Sequence, residues 1–577
     1  MSDRRILPLY PPSRRSPRRY DDRNSPLPYR GPTFREDTGE YIALVEIDWD
    51  AGTEYYSFVS VRSASVDYLP YVVSISPIRR EVSFTGGFSV GECTVNLVNS
   101  ATGQDRYFSK KLASVSIRGR KLRVKLVNLS EGYSAAMNIF EGKITGWQIS
   151  SGQLSIQTRD SRFDEIFQSL LSQNVPLINK FNFTGLPLYG TGGLGTTPPV
   201  LAPIVMGRMF DPLASPSSLY GYLVPCFLVD TAATPGNAFV YVIGCRPLTS
   251  QLNTPVFYRY GQIVAGTFTT AAYNGTTYAV VTFATEQRSA DRGNELEITA
   301  WMNGITETDS GSAVPILEPV RMLEYLLDTY TSLTTATDFD TTLQATAKTA
   351  STNQGYATEQ QTPSGYGSAA FGGTIYSMET TWREVIEKFC QSFAFQLFST
   401  RDGDLATFVD TDDAVAADFV IDDESDILKN SLVIRSNDDV CSVLDFHFLE
   451  VPEILRSGEH GEYVFCPSYR IPGEKTRIGD YDVRKNLTLP FCRNAHAATE
   501  VVRVFSDYYS TKSQWIEFDL PIRWYRYIDL NKFLDITHWQ GISAAGGYAS
   551  VIARITGLDI HVQPSSAHVH VTTFKKA

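Results

Sequence analysis

The chain has 577 residues, of which 43% are hydrophobic and 20% charged. This composition indicates a globular protein of several domains and excludes a wholly disordered chain. The formal net charge of −12 argues against a general nucleic-acid binder, because phosphate binding requires a basic surface. The seven cysteines include no CxxC pair, so we expect reduced buried thiols rather than a disulfide framework or a zinc ribbon. We expect no membrane-spanning segment and no signal peptide, because the sequence contains no run of 18 apolar residues and its N-terminus has no apolar core region.

Residues 1–38 are rich in arginine and proline, a composition that cannot build a packed core and that favours extended backbone. One interpretation is a loose N-terminal tail. The other is an extended arm that becomes ordered on a partner subunit, with Arg14, Arg15 and Tyr20 as interface candidates. Both interpretations separate this segment from the folded core.

Residues 39–160 read almost entirely as strands, at a spacing typical of a barrel or a sandwich. Their clearest element is a predicted β-hairpin. Ile144, Trp147 and Ile149 lie on its first strand, a turn that contains a glycine occupies residues 150–153, and an alternating apolar strand follows. We assign this part of the chain to a first β-barrel.

Apolar residues then recur at helical spacing in several places, separated by short β segments and by loops rich in Gly, Thr and Pro. The predicted amphipathic helices cover residues 161–171, 315–330, 381–393 and 497–508. The predicted organisation is an arm at 1–38, a first barrel at 39–160, an inserted β-rich domain at 161–314, a helix-containing α+β domain at 315–440 and a second β module with a helix at 441–577.

The end of the chain repeats the first hairpin. The run ITGLDI at 555–560 matches ITGWQI at 144–149, and an alternating strand follows each run. Two copies of a related β-module in one chain would explain the match. Chance is the alternative, because Ile-Thr-Gly is an ordinary β-strand tripeptide and only similarity over a whole domain is a strong repeat signal.

Four motifs suggest chemistry, and each has a plainer interpretation. A GxSxG pattern at 87–91 precedes a strand, whereas a nucleophile elbow needs a helix there. A GxGxxG pattern at 190–195 is followed closely by two prolines, which are incompatible with the helix that a dinucleotide site needs. His568 and His570 share a strand face but lack further metal ligands nearby in sequence. The carboxylates of 402–426 fit a glycosidase pair, a Ca²⁺ site or solvated turns. We predict no catalytic residue, no cofactor and no metal site.

Four sets of segments stand out in chain order, namely 76–97 with 140–144, 316–330, 381–387 with 401–405, and 497–521. Taken together, these segments resemble the tail hub proteins of tailed bacteriophages, also called baseplate hub or tail-tip proteins. The resemblance spans most of residues 40–560, and the arginine- and proline-rich arm is not part of it.

The resemblance implies a homotrimer in which each subunit supplies two β-barrels like those of tail-tube proteins, so that three chains form a pseudo-hexameric ring. The fold class expected is a β-rich α+β multidomain protein with two tail-tube-like β-barrel modules, inserted β domains and a few amphipathic helices. Phe140 and Trp147, in the hairpin region, are further interface candidates.

In function, the resemblance implies a non-enzymatic virion structural protein of the tail tip or baseplate, assembled in the host cytoplasm. It would join the tail tube or distal ring to the tail tip and line the channel during genome ejection, with DNA only in passage. The implied partners are a hexameric tail tube or distal tail protein, tail-tip or fibre proteins and the tape-measure protein.

Two alternatives from other classes stay open. A virion-associated glycan hydrolase would use the 402–426 carboxylates and would lose turnover when one of those aspartates is replaced. A host-receptor-binding tail protein would bind cells as an isolated protein, whereas a hub would not.

Overall fold

The structure, a computed structural model, describes residues 41–576 with internal gaps. Arg14, Arg15, Tyr20, most of the GxSxG pattern and the GxGxxG pattern lie outside the described residues. The gaps are 63–65, 84–90, 102–103, 106, 129–135, 161–162, 174, 176–200, 208–223, 231–238, 245–254, 260–261, 274–275, 286–297, 303, 306–315, 357–358, 362–366, 370, 376, 378, 412–414, 423–425, 451–462, 543–545 and 565.

The first part of the chain is almost entirely β-structure, as its alternating apolar pattern predicts. Its elements are β1 (Tyr41–Trp49), β2 (Gly52–Ser57), β3 (Val61–Arg62), β4 (Asp67–Tyr68), β5 (Val72–Ile75), β6 (Ile78–Glu81), β7 (Glu92–Val98), β8 (Ser100–Ala101), β9 (Gln104–Asp105), helix α1 (Tyr107–Leu112), β10 (Lys121–Asn128), β11 (Met137–Ser150) and β12 (Gln153–Arg159).

The middle of the chain mixes short strands with helices. Its elements are α2 (Asp164–Phe167), a 3₁₀ turn (Leu171–Gln173), β13 (Ile204–Gly207), β14 (Val224–Pro225), β15 (Phe227–Asp230), β16 (Phe239–Gly244), β17 (Val256–Arg259), β18 (Gln262–Val264), β19 (Thr267–Tyr273), β20 (Thr276–Phe283), β21 (Ile298–Trp301), α3 (Pro319–Tyr330), α4 (Thr335–Asp338), α5 (Thr341–Asn353), β22 (Glu359–Gln361), β23 (Gly367–Ala369), β24 (Gly372–Ile375), α6 (Trp382–Phe393), β25 (Phe395–Ser399) and β26 (Leu405–Val409).

The last part returns to strands around one long helix. Its elements are β27 (Phe419–Asp422), β28 (Val433–Ser436), β29 (Val443–Glu450), β30 (Tyr463–Phe465), β31 (Ser468–Arg470), α7 (Glu474–Ile478), β32 (Arg484–Leu489), α8 (Ala495–Tyr508), β33 (Gln514–Pro521), a 3₁₀ turn (Ile522–Arg526), β34 (Phe533–His538), β35 (Tyr548–His561) and β36 (His568–Lys575).

Two large sheets dominate the fold. The first has the strand order β2-β1-β10-β11-β12-β7-β5 and comes entirely from the first part of the chain. The second has the order β27-β34-β35-β36-β33-β28 and comes from the last part, except that β6 also pairs with β35. The described chain is therefore β-rich, as the sequence predicts, and its two ends are joined by strand pairing.

The two sheets contain the same chain path. In the first, β7 leads through α1 to β10, β11 and β12, which lie in the order β10-β11-β12-β7. In the second, β33 leads through a 3₁₀ turn to β34, β35 and β36, which lie in the order β34-β35-β36-β33. This shared topology confirms the predicted pair of related β-units at opposite ends of the chain.

One hydrophobic core joins both sheets. It includes alternate inward residues of the first sheet, such as Val95 and Ile156, and of the second, such as Phe518 and Val571, all of them fully buried. A separate core contains α3, α6, α8 and the strands of the middle of the chain. The two related sheets therefore pack on each other rather than forming isolated units.

The predicted helices occur, with one marked difference. Thr381 and Glu384 form a capping box at the start of α6, and the side chain of Asn494 caps α8. The helix predicted over 161–171 is wrong beyond α2, because the backbone leaves the helix to pair elsewhere. The Leu171 amide donates to the Thr380 carbonyl at 3.0 Å, so this stretch joins another segment instead of completing a helical turn.

Candidate assembly interface

The two related hairpins carry the same irregularity at the same place. In β11 the register with β12 shifts between Ile144 and Gly146, and in β35 the register with β36 shifts between Ile555 and Gly557. A shift of this kind is a β-bulge, which bends a strand and redirects its edge. The ITG run at each site therefore marks a shared bend and not only a shared sequence.

Matching hydrogen bonds fix the correspondence residue by residue. The Thr158 hydroxyl donates to the Cys93 carbonyl at 2.7 Å, and the Thr573 hydroxyl donates to the Ile516 carbonyl at 2.9 Å. Each joins the third strand of its unit to the strand that follows it in the sheet.

The threonine inside each bulge extends the correspondence. The Thr145 and Thr556 hydroxyls each donate to a carbonyl of the partner strand of their own hairpin, both at 3.2 Å. Counting from these threonines, Trp147 corresponds to Leu558 and Ile149 to Ile560.

In the second sheet, the edge of β35 beyond the bulge is covered. We call Gly557–Ile560 the covered edge. Strand β6, from the first part of the chain, pairs with it antiparallel, and the Val82 amide donates to the Thr556 carbonyl at 2.9 Å. Leu558 and Ile560 are fully buried there. The strand that completes the second sheet thus comes from the first part of the chain.

In the first sheet, the same edge carries no strand. We call Gly146–Ile149 the open edge. Strand β10 pairs with β11 only up to Lys143, and among the described residues no strand lies beside the open edge. Trp147 is 45% exposed, whereas its counterpart Leu558 is 0% exposed. The open edge is therefore a strand edge with an exposed aromatic side chain.

A partly buried ion pair holds the covered edge in place. The Arg80 guanidinium lies 2.9 Å from the Asp529 carboxylate and also donates to the Ser399 carbonyl. The Arg401 amide donates to the same carboxylate at 2.8 Å. Burial opposes the charge on Arg80, but Asp529 and Tyr525 outweigh it and raise the pKa of that guanidinium above its ordinary value. The β6 crossing is thus anchored to the second sheet by charged side chains as well as by backbone.

The structure describes two of the five predicted interface residues. Trp147 lies on the open edge. Its role in an interface stays a prediction, which its exposed position supports. Phe140 is 6% exposed and packs in the shared core, against Gly91 and Gly142, so its side chain contributes to folding. Sequence reasoning missed the open edge itself, although the replacement of an aliphatic residue by Trp within the repeated run was a signal for it.

Asp410, in the acidic segment, forms a buried ion pair. Its carboxylate accepts from the Arg554 guanidinium at 2.8 Å, both side chains being almost fully buried, and Lys576 contacts it from the other side. Burial lowers the pKa of Arg554 although Asp410 opposes that effect. This carboxylate therefore holds the second sheet to the β25–β26 hairpin.

Two more carboxylates of this segment hold the fold. Asp418 accepts from the Phe533 amide at 2.8 Å, and Asp426 accepts from the Asp422 amide at 3.1 Å. Within the described ranges, no group of three His, Cys, Asp or Glu could hold a metal ion. Over the same residues, no helix is both long enough and apolar enough to cross a membrane.

Histidines form a small cluster on the outer face of the second sheet. The ring of His561 stacks on that of His568, with centroids 4.3 Å apart, and His570 contacts the Asp519 carboxylate at 2.7 Å. Burial, and next the neighbouring His568, lower the pKa of His561, while Asp559 and Asp519 oppose this. The corresponding residues of the first sheet, such as Ser150 and Gln153, do not titrate.

Comparisons with known proteins return solved structures only. No protein-family model matches the sequence, and no curated protein matches it. The structure is similar to a tail protein from Neisseria meningitidis MC58, with 8% identity over 90% of this chain and 96% of that one and a TM-score of 0.38. It is also similar to the 43 kDa tail protein of prophage MuSo2 from Shewanella oneidensis, with 8% identity over 93% and 96% of the two chains and a TM-score of 0.37.

A third similar structure is the prophage tail protein gp18 from Listeria monocytogenes EGD-e. Its identity is 6% over 92% of this chain and 94% of that one, with a TM-score of 0.35. These neighbours are phage or tail proteins by name. TM-scores of this size decide neither the fold nor the function of the present chain.

Proposed function

We propose that this protein is a structural tail hub of a tailed bacteriophage. In this proposal three copies form a ring with pseudo-sixfold symmetry, which joins the tail tube or distal ring to the tail tip and lines the DNA channel. The protein acts without catalysis, in the tail tip or baseplate of the virion.

The observation that carries the proposal is the duplicated sheet. A chain with two units of one topology presents two similar surfaces, so three chains can match the six subunits of a hexameric ring. The units share strand order, bulge position and the threonine hydrogen bonds described above. A single-copy fold would offer a hexameric ring only three equivalent contacts.

Charge supports the channel role. The net charge of −12 disfavours retention of DNA, because a surface of the same sign as the phosphate backbone repels it. The proposal further assigns residues 1–38 to an arm that lies on a neighbouring subunit, and the tail tube, fibre and tape-measure proteins to the partners.

The first test is the mass of the purified protein in solution. We expect a particle of three times the 64.2 kDa chain mass by light scattering, and images with threefold symmetry and six similar lobes around a central opening. A stable monomer over the concentrations reached in assembly would overturn the proposal.

A second test concerns the arm. Deletion of residues 1–38 should reduce incorporation of the protein into tails, while thermal unfolding of the folded part stays unchanged. Full incorporation of the protein that lacks residues 1–38 would refute the role of the arm. It would leave the proposed ring unaffected.

A further inference from the structure

Within one chain, β6 covers the edge of the second sheet, whereas the corresponding edge of the first sheet has no added strand among the described residues. Strand β5 is the end strand of the first sheet and pairs with β7. The chain then continues past Pro77 into β6, which pairs with the covered edge of the second sheet. The strand that follows the end of the first sheet thus docks on the bent strand of the second.

The second sheet ends in an equivalent position. Strand β28 pairs with β33 just as β5 pairs with β7, and among the described residues no strand lies on its outer side. Val433 is 47% exposed there. β28 has four residues, the same length as β6, so it can cover a segment as long as the open edge.

Backbone directions on both strands are compatible. The Thr556 carbonyl faces β6, so alternate residues of β35 face β6 too, and by correspondence the backbone of Trp147 and Ile149 faces the open side. On β28, the Asn437 amide donates to the Ser513 carbonyl of the inner side. Ile434 and Ser436 therefore present their amide and carbonyl groups outward.

We infer that β28 of a second copy of this chain adds antiparallel to the open edge. Ser436 lies opposite Trp147, Arg435 opposite Gln148 and Ile434 opposite Ile149. The inference rests on the proposed function and names the contact by which the copies join. Main-chain hydrogen bonds between an exposed sheet edge and an added strand are an established mode of association.

Side chains agree with this register. In the covered junction Arg79 of β6 lies opposite Asp559 on the outer face, 3.8 Å from it. In the inferred junction Arg435, which pairs with Glu517 on the outer face, takes the place of Arg79, and Gln148 takes the place of Asp559. On the other face Ile434 covers Ile149.

The occupant is a second copy because the contact is head-to-tail between related units. Within one chain the strand that follows the end of the first sheet joins it to the second. In the inferred contact the end strand β28 joins the second sheet of one chain to the first sheet of the next. A heterologous contact of this kind closes into a ring when its rotation allows. A strand from an unrelated protein would leave β28 without an occupant on its outer side.

Cysteine cross-linking tests the register. In antiparallel pairs without mutual hydrogen bonds the Cα atoms lie about 4.5 Å apart, within the range of a disulfide. The variant Gln148→Cys with Arg435→Cys is made in a Cys466→Ser background, because Cys466 is exposed and the other cysteines that the structure describes as free are buried. We expect oxidation to give covalent species of two and three chains. The control pairs Gln148→Cys with Lys429→Cys, an exposed position off the strand.

A second variant tests the edge without a new bond. Trp147→Lys should weaken association by about tenfold or more, as loss of an aromatic interface anchor does. Ile552→Lys is the matched control, since Ile552 is 43% exposed on β35 but is paired with β34, and it should leave association unchanged.

The outcomes separate the two proposals. A trimer that forms no specific cross-link, or that tolerates Trp147→Lys as well as Ile552→Lys, overturns the inferred contact and leaves the hub proposal standing. A protein that is monomeric before any substitution overturns both.

Discussion

The first and second hairpins have the same register and opposite burial. Leu558 and Ile560 of the second are fully buried beneath β6, whereas Trp147 of the first is 45% exposed and Ile149 only partly buried. The difference arises because one edge has its added strand within the chain and the other does not. Each position in one hairpin therefore has a counterpart in the other that lies in a different environment. Comparing the two positions shows the effect of the added strand.

The largest expected effect is the loss of a buried ion pair in the second sheet, compared with the loss of an exposed ion pair in the first. Asp410→Ala leaves Arg554 buried without its carboxylate, and we expect a loss of about 3–5 kcal/mol in the stability of the second sheet. Hydrogen exchange of the β35 amides would measure it. In the first sheet Glu92→Ala removes the exposed partner of Arg159 and should cost less than about 1 kcal/mol. Equal losses would contradict the distinction.

The next prediction uses counterpart positions. Leu558→Ala should lower the stability of the second sheet by about 2–5 kcal/mol, because it leaves a cavity under β6. Trp147→Ala should change the stability of the isolated chain by no more than about 1 kcal/mol, because the ring is half-exposed. Denaturant unfolding at low protein concentration compares the two. A large loss for Trp147→Ala in the monomer would show that the open edge is already covered.

A smaller effect should be the same in both sheets. Thr158→Val and Thr573→Val keep the shape of the side chain and remove one buried hydrogen bond each. We expect each to cost about 1 kcal/mol. Hydrogen exchange in β7 and β33 would report the losses separately. Values that differ by several-fold would mean that the two threonines are not equivalent.

The smallest effect is a pH dependence confined to the second hairpin. The pKa of His561 is lowered in the folded state, so the unfolded chain binds the proton more readily. Stability from this group is present above the ordinary histidine pKa of about 6.5 and is lost as pH falls through the lower folded value. Unfolding midpoints at pH 7.5 and 5.5 would show it. His561→Ser, which introduces the residue of the first hairpin, should reduce the difference, and an unchanged difference would contradict the assignment.

The sequence alone predicted what depends on local pattern. The ITG runs located both hairpins, and the helical spacing of apolar residues over 381–393 predicted α6. The bulge in each hairpin and the capping box at Thr381 and Glu384 were found only in the structure. Helix α5 was missed, since its thirteen residues are mostly threonine and alanine and bury only Gln344, Ala347 and Ser351. Such a helix has no apolar stripe to detect.

The candidate interface could be predicted only in part. Trp147 was proposed as an interface candidate from its place in the hairpin region, whereas the crossing of β6 was not predicted. Residues 78–81 are mostly charged, and nothing in them specifies a partner at the far end of the chain. Long-range pairing depends on the packing of the whole fold, here on the shared core and on the Arg80–Asp529 ion pair.

The crossing of β6 has a consequence for biosynthesis. The Gln563 side chain donates to the Ile75 carbonyl across 488 positions, and β6 pairs with a strand that is synthesised much later than β6 itself. Until then β6 emerges without its partner, and unpaired strands of nascent chains are open to capture by neighbouring chains. Charged Arg79, Arg80 and Glu81, which follow a proline, are the kind of residues that suppress such capture. Strand β6, whose polar residues gave no sign of the crossing in the sequence, would therefore resist capture by neighbouring nascent chains until β35 has been synthesised.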